Sequence, residues 1–426
     1  MMPFINIYRL PPSVLVGYNC GMNAICLVFD RLHAGYLGAY GNTWIETPAV
    51  DRLASQSFLF DQMLIDTPDL NRIYRSYWQG RHALSPDISP GDCPSLPGSL
   101  RELGVATALV TDDQLVARHQ LAVDFDEIIE IDPPWECRVA DKIEQTHFAQ
   151  CFLQIIDYLQ SAREPFMLWC HLAGLGTTWD APLSFRRAYK DEDDPDPPAG
   201  AEVPEQILAE DHDPDELLGI VHSYAGQVSL LDSCLEAFLE FLKDSKAAES
   251  LLLALTSSRG FPLGEHRLVG PCGGSLYGEL AQTPLMLRFP DGTGAAARSQ
   301  TLVEPADLWA TLSEWWQNRP APASPTAASL IPVARQDVPA PRDRLCIAGS
   351  GGQRAIRTPA WYFRAASEGE LYAKPDDRWE VNNVSNRCLE VVECLQDALL
   401  QYEQAIKSGS VADLPLLSDV LMHGLG

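Results

Sequence analysis

Asn23–Asp30 reads NAICLVFD, an apolar run that ends in an acid. A short apolar stretch without polar alternation is the signature of a strand buried on both faces, as in a parallel sheet. Asp30 then stands at the strand's carboxyl end, the edge where open α/β sheets bind ligands. The plainer reading makes it a cap for the turn that follows. Ala106–Thr111 (ATALVT), Phe166–Leu172 (FMLWCHL), residues 251–256 (LLLALT) and residues 284–289 (PLMLRF) share the character of the first run. Helical patterns separate them. Thr47 and Pro48 precede Val50, Leu53 and Ala54 on one face; Phe152, Ile155, Ile156 and Leu159 repeat at helical spacing; residues 220–242 form a long amphipathic pattern. Strands alternating with helices predict an α/β fold with a mostly parallel sheet sandwiched by helices.

Toward the C-terminus, residues 318–342 carry six prolines and read as a Pro/Ala-rich linker. Beyond it, residues 345–348, 355–358, 361–364 and 370–372 read as short antiparallel strands and 389–404 as a helix, a small α+β subdomain. The expected organisation is an extension over 1–22, the α/β domain over 23–317, the linker, the C-terminal subdomain over 343–408 and a tail over 409–426. With only Arg9 as a base and with Pro3, Pro11 and Pro12, the extension does not read as a signal peptide.

Composition narrows the function classes. Of 426 residues 46% are hydrophobic, too many for intrinsic disorder. The formal net charge is −27, which argues against nucleic acid or an anionic membrane as partner. The charge is partly local. Residues 191–216 hold twelve acids and no Lys or Arg, so the other 400 residues carry −15. This stretch, interrupted by prolines, reads as a solvated surface loop. A calcium or docking role around Asp211, His212 and Asp213 is the sharper alternative. Eleven cysteines without a C-x-x-C pair argue against a disulfide framework or zinc site, and a reducing cytoplasm is the expected compartment. No apolar run approaches the ~20 residues of a membrane span.

Eight segments, in order from Asn23 to Gln404, resemble the sulfatase family of the alkaline phosphatase superfamily. Residues 23–42 (NAICLVFDRLHAGYLGAYGN) resemble its first strand, acidic pair and L-G-x-Y-G turn, and residues 47–54 its T-P-x-x-D-R-L-A helix. Residues 67–81 (TPDLNRIYRSYWQGR) resemble the nucleophile segment S-P-x-C-x-P-S-R-x-x-x-x-x-G-R. Residues 255–266 (LTSSRGFPLGEH) resemble F-T-S-D-H-G-x-x-L-G-E-H. Residues 276–290, 307–312, 354–358 and 370–383 match the later landmarks. The resemblance implies a Cys converted to formylglycine, a calcium ion on acidic and amide ligands, Lys and His residues on the sulfate oxygens, and a His that protonates the leaving alcohol.

At these positions the sequence departs from the family. The Cys position is Leu70, or Asn71 if the register slips by one. Neither has a nucleophilic atom. The following Pro and Arg positions fall on Arg72 and Tyr74. Of the acidic pair Asp30 is kept and the second acid is Arg31; the later D-H or D-N pair is Ser258-Arg259. The sulfate-binding Lys and His align with Asp112 and Gln114. The His near the chemistry is Gly176, and the late Lys is replaced by Gly273, Gly274 and Ser275. Calcium needs about 6–8 oxygen ligands, so neither calcium nor formylglycine is expected here.

The leading expectation is a catalytically inactive pseudoenzyme acting by binding, either a small anionic ligand at Arg31, Arg72 and Arg259 or a protein partner such as an active homologous subunit. The plainer reading has those arginines merely neutralise buried acids. One alternative is a sulfuric or phosphoric ester hydrolase with a rebuilt site using Asp30, Asp112 or Asp113; another is an interaction protein using the acidic loop. His33 and His171 read as hydrogen-bonded structural histidines. Ser257 lacks a nucleophile elbow. Trp309, Trp315 and Trp316 read as packing residues.

Overall fold

In the computed structural model of the protein, residues 22–88, 93–134, 136–271, 275–317, 324–337, 340–366 and 369–425 are described. Residues 1–21 of the expected extension over 1–22, and Gly273-Gly274, lie outside them. The strands are β1 (Asn23–Asp30), β2 (Phe58–Leu64), β3 (Ala106–Thr111), β4 (Glu127–Glu130), β5 (Phe166–Leu172), β6 (Gln206–Ile207), β7 (Leu251–Arg259), β8 (Leu268–Val269), β9 (Gln282–Arg288), β10 (Arg298–Val303), β11 (Leu345–Ala348), β12 (Arg354–Arg357), β13 (Trp361–Ala365) and β14 (Glu370–Ala373). Eight form one sheet in the order β10-β2-β9-β7-β1-β5-β3-β4.

The apolar runs occupy its buried centre. β1 lies between β7 and β5, parallel to both, and all eight of its residues are buried. Its side chains alternate between two cores. Ala24, Cys26 and Val28 pack with the helices Leu70–Gln79 and Pro305–Gln317. Ile25, Leu27 and Phe29 pack with the helices His147–Ser161 and Pro214–Lys243. The result is an α/β sandwich with a mostly parallel sheet. One strand departs from expectation: β9 runs antiparallel to both β7 and β2.

The small antiparallel sheet has the order β11-β12-β13-β14 and packs on the helix Leu389–Ser408. It is fastened to the large domain where the amide of Ala348 donates to the Asp66 carbonyl at 2.8 Å. Where it is described, the segment 318–342 is not a linker. Leu330, Ile331, Val333 and Ala334 are buried in the main core. Arg342, its side chain 9% exposed, donates to both Asp307 oxygens, at 2.5 and 2.6 Å. Pro325, Pro332 and Pro341 therefore belong to a packed strap rather than a spacer.

The acidic stretch is not a free loop either. Residues 214–216 open the helix Pro214–Lys243, and Asp213 caps it by accepting from the Asp215 amide at 3.0 Å. Ala201 and Leu208 are buried, and β6 pairs with β8. The fully buried Arg186 donates to the carbonyls of Trp179, Pro198 and Gly200, which gathers the chain around one guanidinium. Asp194 and Asp196 approach His222, Arg187 and Lys190 at 3.6–3.7 Å. His212 is half-buried, its Nδ1 3.0 Å from the Ala209 carbonyl.

Candidate functional site

The carboxyl ends of β1, β7 and β5 meet at one point. The β1–β7 ladder shifts register after Phe29, and this sets Asp30 opposite Arg259. Arg259 grips Asp30 with a two-pronged hydrogen bond, Nε to Oδ1 at 2.9 Å and Nη2 to Oδ2 at 2.5 Å. Ser258 Oγ donates to Oδ1 at 2.6 Å, and Arg31 Nε lies 3.7 Å from Oδ2. Paired N–H donors in one plane match the carboxylate fork, the strongest geometry such a pair has. Burial opposes ionisation of Asp30, yet Arg259 by charge and hydrogen bond, with Arg31 behind it, holds the carboxyl well below the usual range. Burial and the charge of Arg259 pull Arg31 down to about 10.

Arg31 has a left-handed backbone, φ 69°, unusual for a residue with a side chain. Tyr224 holds it: its hydroxyl donates to the Arg31 carbonyl at 2.7 Å and accepts from the His33 amide at 2.8 Å. Gly176 makes room for the side chain. A Cβ there would sit 2.9 Å from Arg31 Cγ and 3.6 Å from Asp30 Oδ2. An arginine at 31 and a bulky side chain at 176 therefore compete for one volume.

The segment that resembles the family's nucleophile motif packs as hydrocarbon and aromatic core. Leu70 is the first residue of the helix Leu70–Gln79, capped by Asp69, and its side chain joins the core. Tyr74, one turn on, is fully buried with Tyr77, Trp78 and Trp169. Its hydroxyl lies 2.6 Å from His171 Nδ1. His171 Nε2 has no hydrogen-bond partner and lies 3.9 Å from Asp113. Burial keeps this ring's pKa below the ordinary value despite Asp30 and Asp113.

Other candidates have structural duties. Asp113 caps the helix Gln114–Ala117. Asp112 accepts from the Ala173 amide at 2.7 Å and meets His147 at 2.7 Å. His33 accepts from the Gly35 amide and lies 3.3 Å from Glu265. Ser257 Oγ donates to backbone carbonyls and accepts from the Leu32 amide. Trp309 and Trp316 are buried, and the indoles of Trp315 and Trp316 donate to the carbonyls of Asn23 and Met22.

Above the cluster opens a cavity of about 540 Å³ that reaches Arg31, Arg72, Arg259 and Arg354. Its far wall is the glycine-rich loop 349–352. Arg72 is exposed. The sequence pattern does not place Arg354 and this loop at the site, because only the docking of β11 and β12 carries them there. The RAIR motif of β12 was the available signal.

A family model described as Sulfatase matches residues 22–317. The chain belongs to the sulfatase family. Among sulfatases, human iduronate 2-sulfatase is 25% identical over 317 residues, 58% of this chain and 56% of that protein. The mouse iduronate 2-sulfatase is 24% identical over 367 residues, 69% of this chain and 64% of that protein. The chain thus spans less than two thirds of the length of these relatives. The fold matches a phosphonate monoester hydrolase of Agrobacterium radiobacter with TM-score 0.74 at 15% identity, covering 90% of this chain and 96% of that one. It matches a 2-O GAG sulfatase with TM-score 0.71 at 17% identity, covering 94% and 95%.

The sulfatase resemblance implies a divalent cation, and the residues present do not fit one. Both oxygens of Asp30 are taken by Arg259, and two guanidinium groups stand where further oxygen ligands are needed. Their charge already neutralises the carboxylate. Among the described residues, no helix is long and apolar enough to cross a membrane.

Proposed function

We propose that this sulfatase-family chain no longer hydrolyses sulfate esters and instead binds a small anionic ligand in the arginine-lined cavity. The two-pronged Asp30–Arg259 pair carries the reading. A guanidinium fixed on Asp30 supports replacement of the cation, and Leu70, which aligns with the family's nucleophile, offers only carbon. Hydrolysis needs a nucleophile and charge stabilisation acting together, and loss of the nucleophile alone costs orders of magnitude. Binding needs only the charge, and Arg31, Arg72 and Arg259 outnumber the carboxylates of Asp30 and Asp69 there, while Arg354 is paired with Glu403 at 2.6 Å. A reducing cytoplasmic setting belongs to the same proposal and rests on the cysteine pattern.

Turnover of aryl sulfate and aryl phosphate esters, with and without calcium, manganese or zinc, tests the loss of activity. No turnover is expected under any condition. Turnover that survives purification and disappears in Asp30→Ala overturns the proposal and favours a hydrolase with a rebuilt site. Calorimetry is expected to show no micromolar calcium binding. A calcium isotherm abolished by Asp30→Ala speaks against the arginine replacement.

A further inference from the structure

A second cavity, of about 330 Å³, lies between the β2–β10 edge of the central sheet and the C-terminal sheet. It shares no lining residue with the cavity at Arg31. Its charged walls are Asp61, Arg298, Arg357, Lys374, Arg378 and Glu380. Two of the cations meet a carboxylate, Arg298 at 3.3 Å from Asp61 and Lys374 at 3.0 Å from Glu380.

The other two are held by neutral groups. Arg357 is 4% exposed, and its guanidinium donates to the carbonyls of Thr358, Pro359 and Trp361 and to Gln62 Oε1. Arg378 donates to the Tyr40 carbonyl at 2.8 Å and lies over the Trp379 ring. These contacts satisfy N–H groups without balancing charge. The cavity therefore holds four cations against two anions, in a chain of net charge −27. A guanidinium buried without a contact carboxylate is costly unless another group supplies the counter-charge. Burial pulls Arg357 down to about 10, with Glu380 opposing, so it stays charged at neutral pH.

We propose that this cavity binds a small dianion of the phosphate or sulfate class through Arg298, Arg357 and Arg378. Guanidinium forks suit tetrahedral oxyanions. The rest of the wall mixes Gln62, Gln282 and Gln300, which can hydrogen-bond hydroxyls on the anion's carrier, with Tyr40, Leu64, Tyr362 and Pro375. This site does not depend on the reading of the Asp30 cluster.

The test is calorimetry on the full chain with inorganic phosphate and inorganic sulfate as probes. Arg298 and Arg378 are exposed, so the variant combining Arg298→Ala with Arg378→Ala keeps its fold, checked by circular dichroism. It is expected to raise Kd about tenfold or more. Arg357→Gln is expected to weaken binding further. Arg72→Ala is expected to leave this binding event intact and to affect only the other cavity. Binding of either anion that follows Arg298, Arg357 and Arg378 supports the site, and the preferred anion identifies the source. No binding up to about 10 mM, or binding indifferent to the double variant, overturns it. Binding lost only in Arg72→Ala overturns this site while supporting the arginine cavity.

Discussion

Asp30 and Arg259 illustrate why a buried ion pair is hard to halve. With Arg259 removed, a carboxylate 3% exposed would keep only Ser258 and the more distant Arg31. Stranding one partner of such a pair costs about 3–5 kcal/mol. Arg259→Ala is expected to lower the urea midpoint accordingly; an unchanged midpoint would show that the pair contributes nothing. The pH dependence follows from the depressed pKa of Asp30. Its contribution is fully present above the unfolded value of about 3.9 and is lost as pH falls below it. Gly176→Ala should cost about 1–3 kcal/mol, because the new Cβ meets Arg31 Cγ at 2.9 Å. The penalty should shrink in an Arg31→Ala background, as a double-mutant cycle on thermal unfolding would show. Additivity would mean that the two residues do not share the space. The sequence alone named Asp30, Arg31, Ser258, Arg259 and Gly176 because motif order fixes their positions along the chain. It was silent on Tyr74 as the partner of His171, since that contact depends on how a helix packs across β5.

The helix Leu70–Gln79 and the strap ending at Arg342 show what local pattern can and cannot disclose. Leu70→Cys would restore a thiol at the helix start, yet the acid and cation ligands would still be missing. No aryl sulfate turnover is expected from this variant, before or after incubation with calcium; turnover would mean the rest of the machinery survives. The strap reads as a linker in the sequence because prolines mark both loose linkers and rigid packed segments, and only tertiary burial separates the two. β2 (FLFDQML) and β10 (RSQTLV) are not legible as strands in the sequence because polar residues break their apolar runs. The strap's Arg342 leans on Asp307 and leaves buried Glu304 at 4.0 Å, with no hydrogen bond to either Glu304 oxygen. Burial raises the Glu304 pKa, with Arg342 opposing. A raised folded-state value gives stability that is present below the unfolded pKa of about 4.3 and is lost as pH rises through the folded one. Glu304→Gln is therefore expected to raise Tm at pH 8 relative to the parent and to narrow that gain at pH 5. A uniform loss at both values would place Glu304 among groups that stabilise when charged.

The whole chain carries −27, whereas the cavity at Asp30 is lined by Arg31, Arg72, Arg259 and Arg354. An anion approaching it feels two fields of opposite sign and different range. The charges of the chain, among them the acids of residues 191–216, act over long distance when salt is low, since the Debye length is about 30 Å at 0.01 M. Near 0.15 M it falls to about 8 Å, and an anion in the cavity then feels chiefly the arginines beside it. Screening should remove the distant repulsion before it removes the local attraction. Sulfate affinity measured by calorimetry is thus expected to rise, or at least hold level, between about 0.01 M and 0.15 M sodium chloride, whereas a uniformly basic protein would show a steady fall. Neutralising acids in 191–194 by Asp→Asn and Glu→Gln substitutions should raise the low-salt affinity and flatten the curve, while the carbonyl contacts of Arg186 keep the segment folded. A steep monotonic loss of affinity with salt in the parent chain would mean that the local arginines dominate at every range, and that the global charge has no part in admitting the ligand.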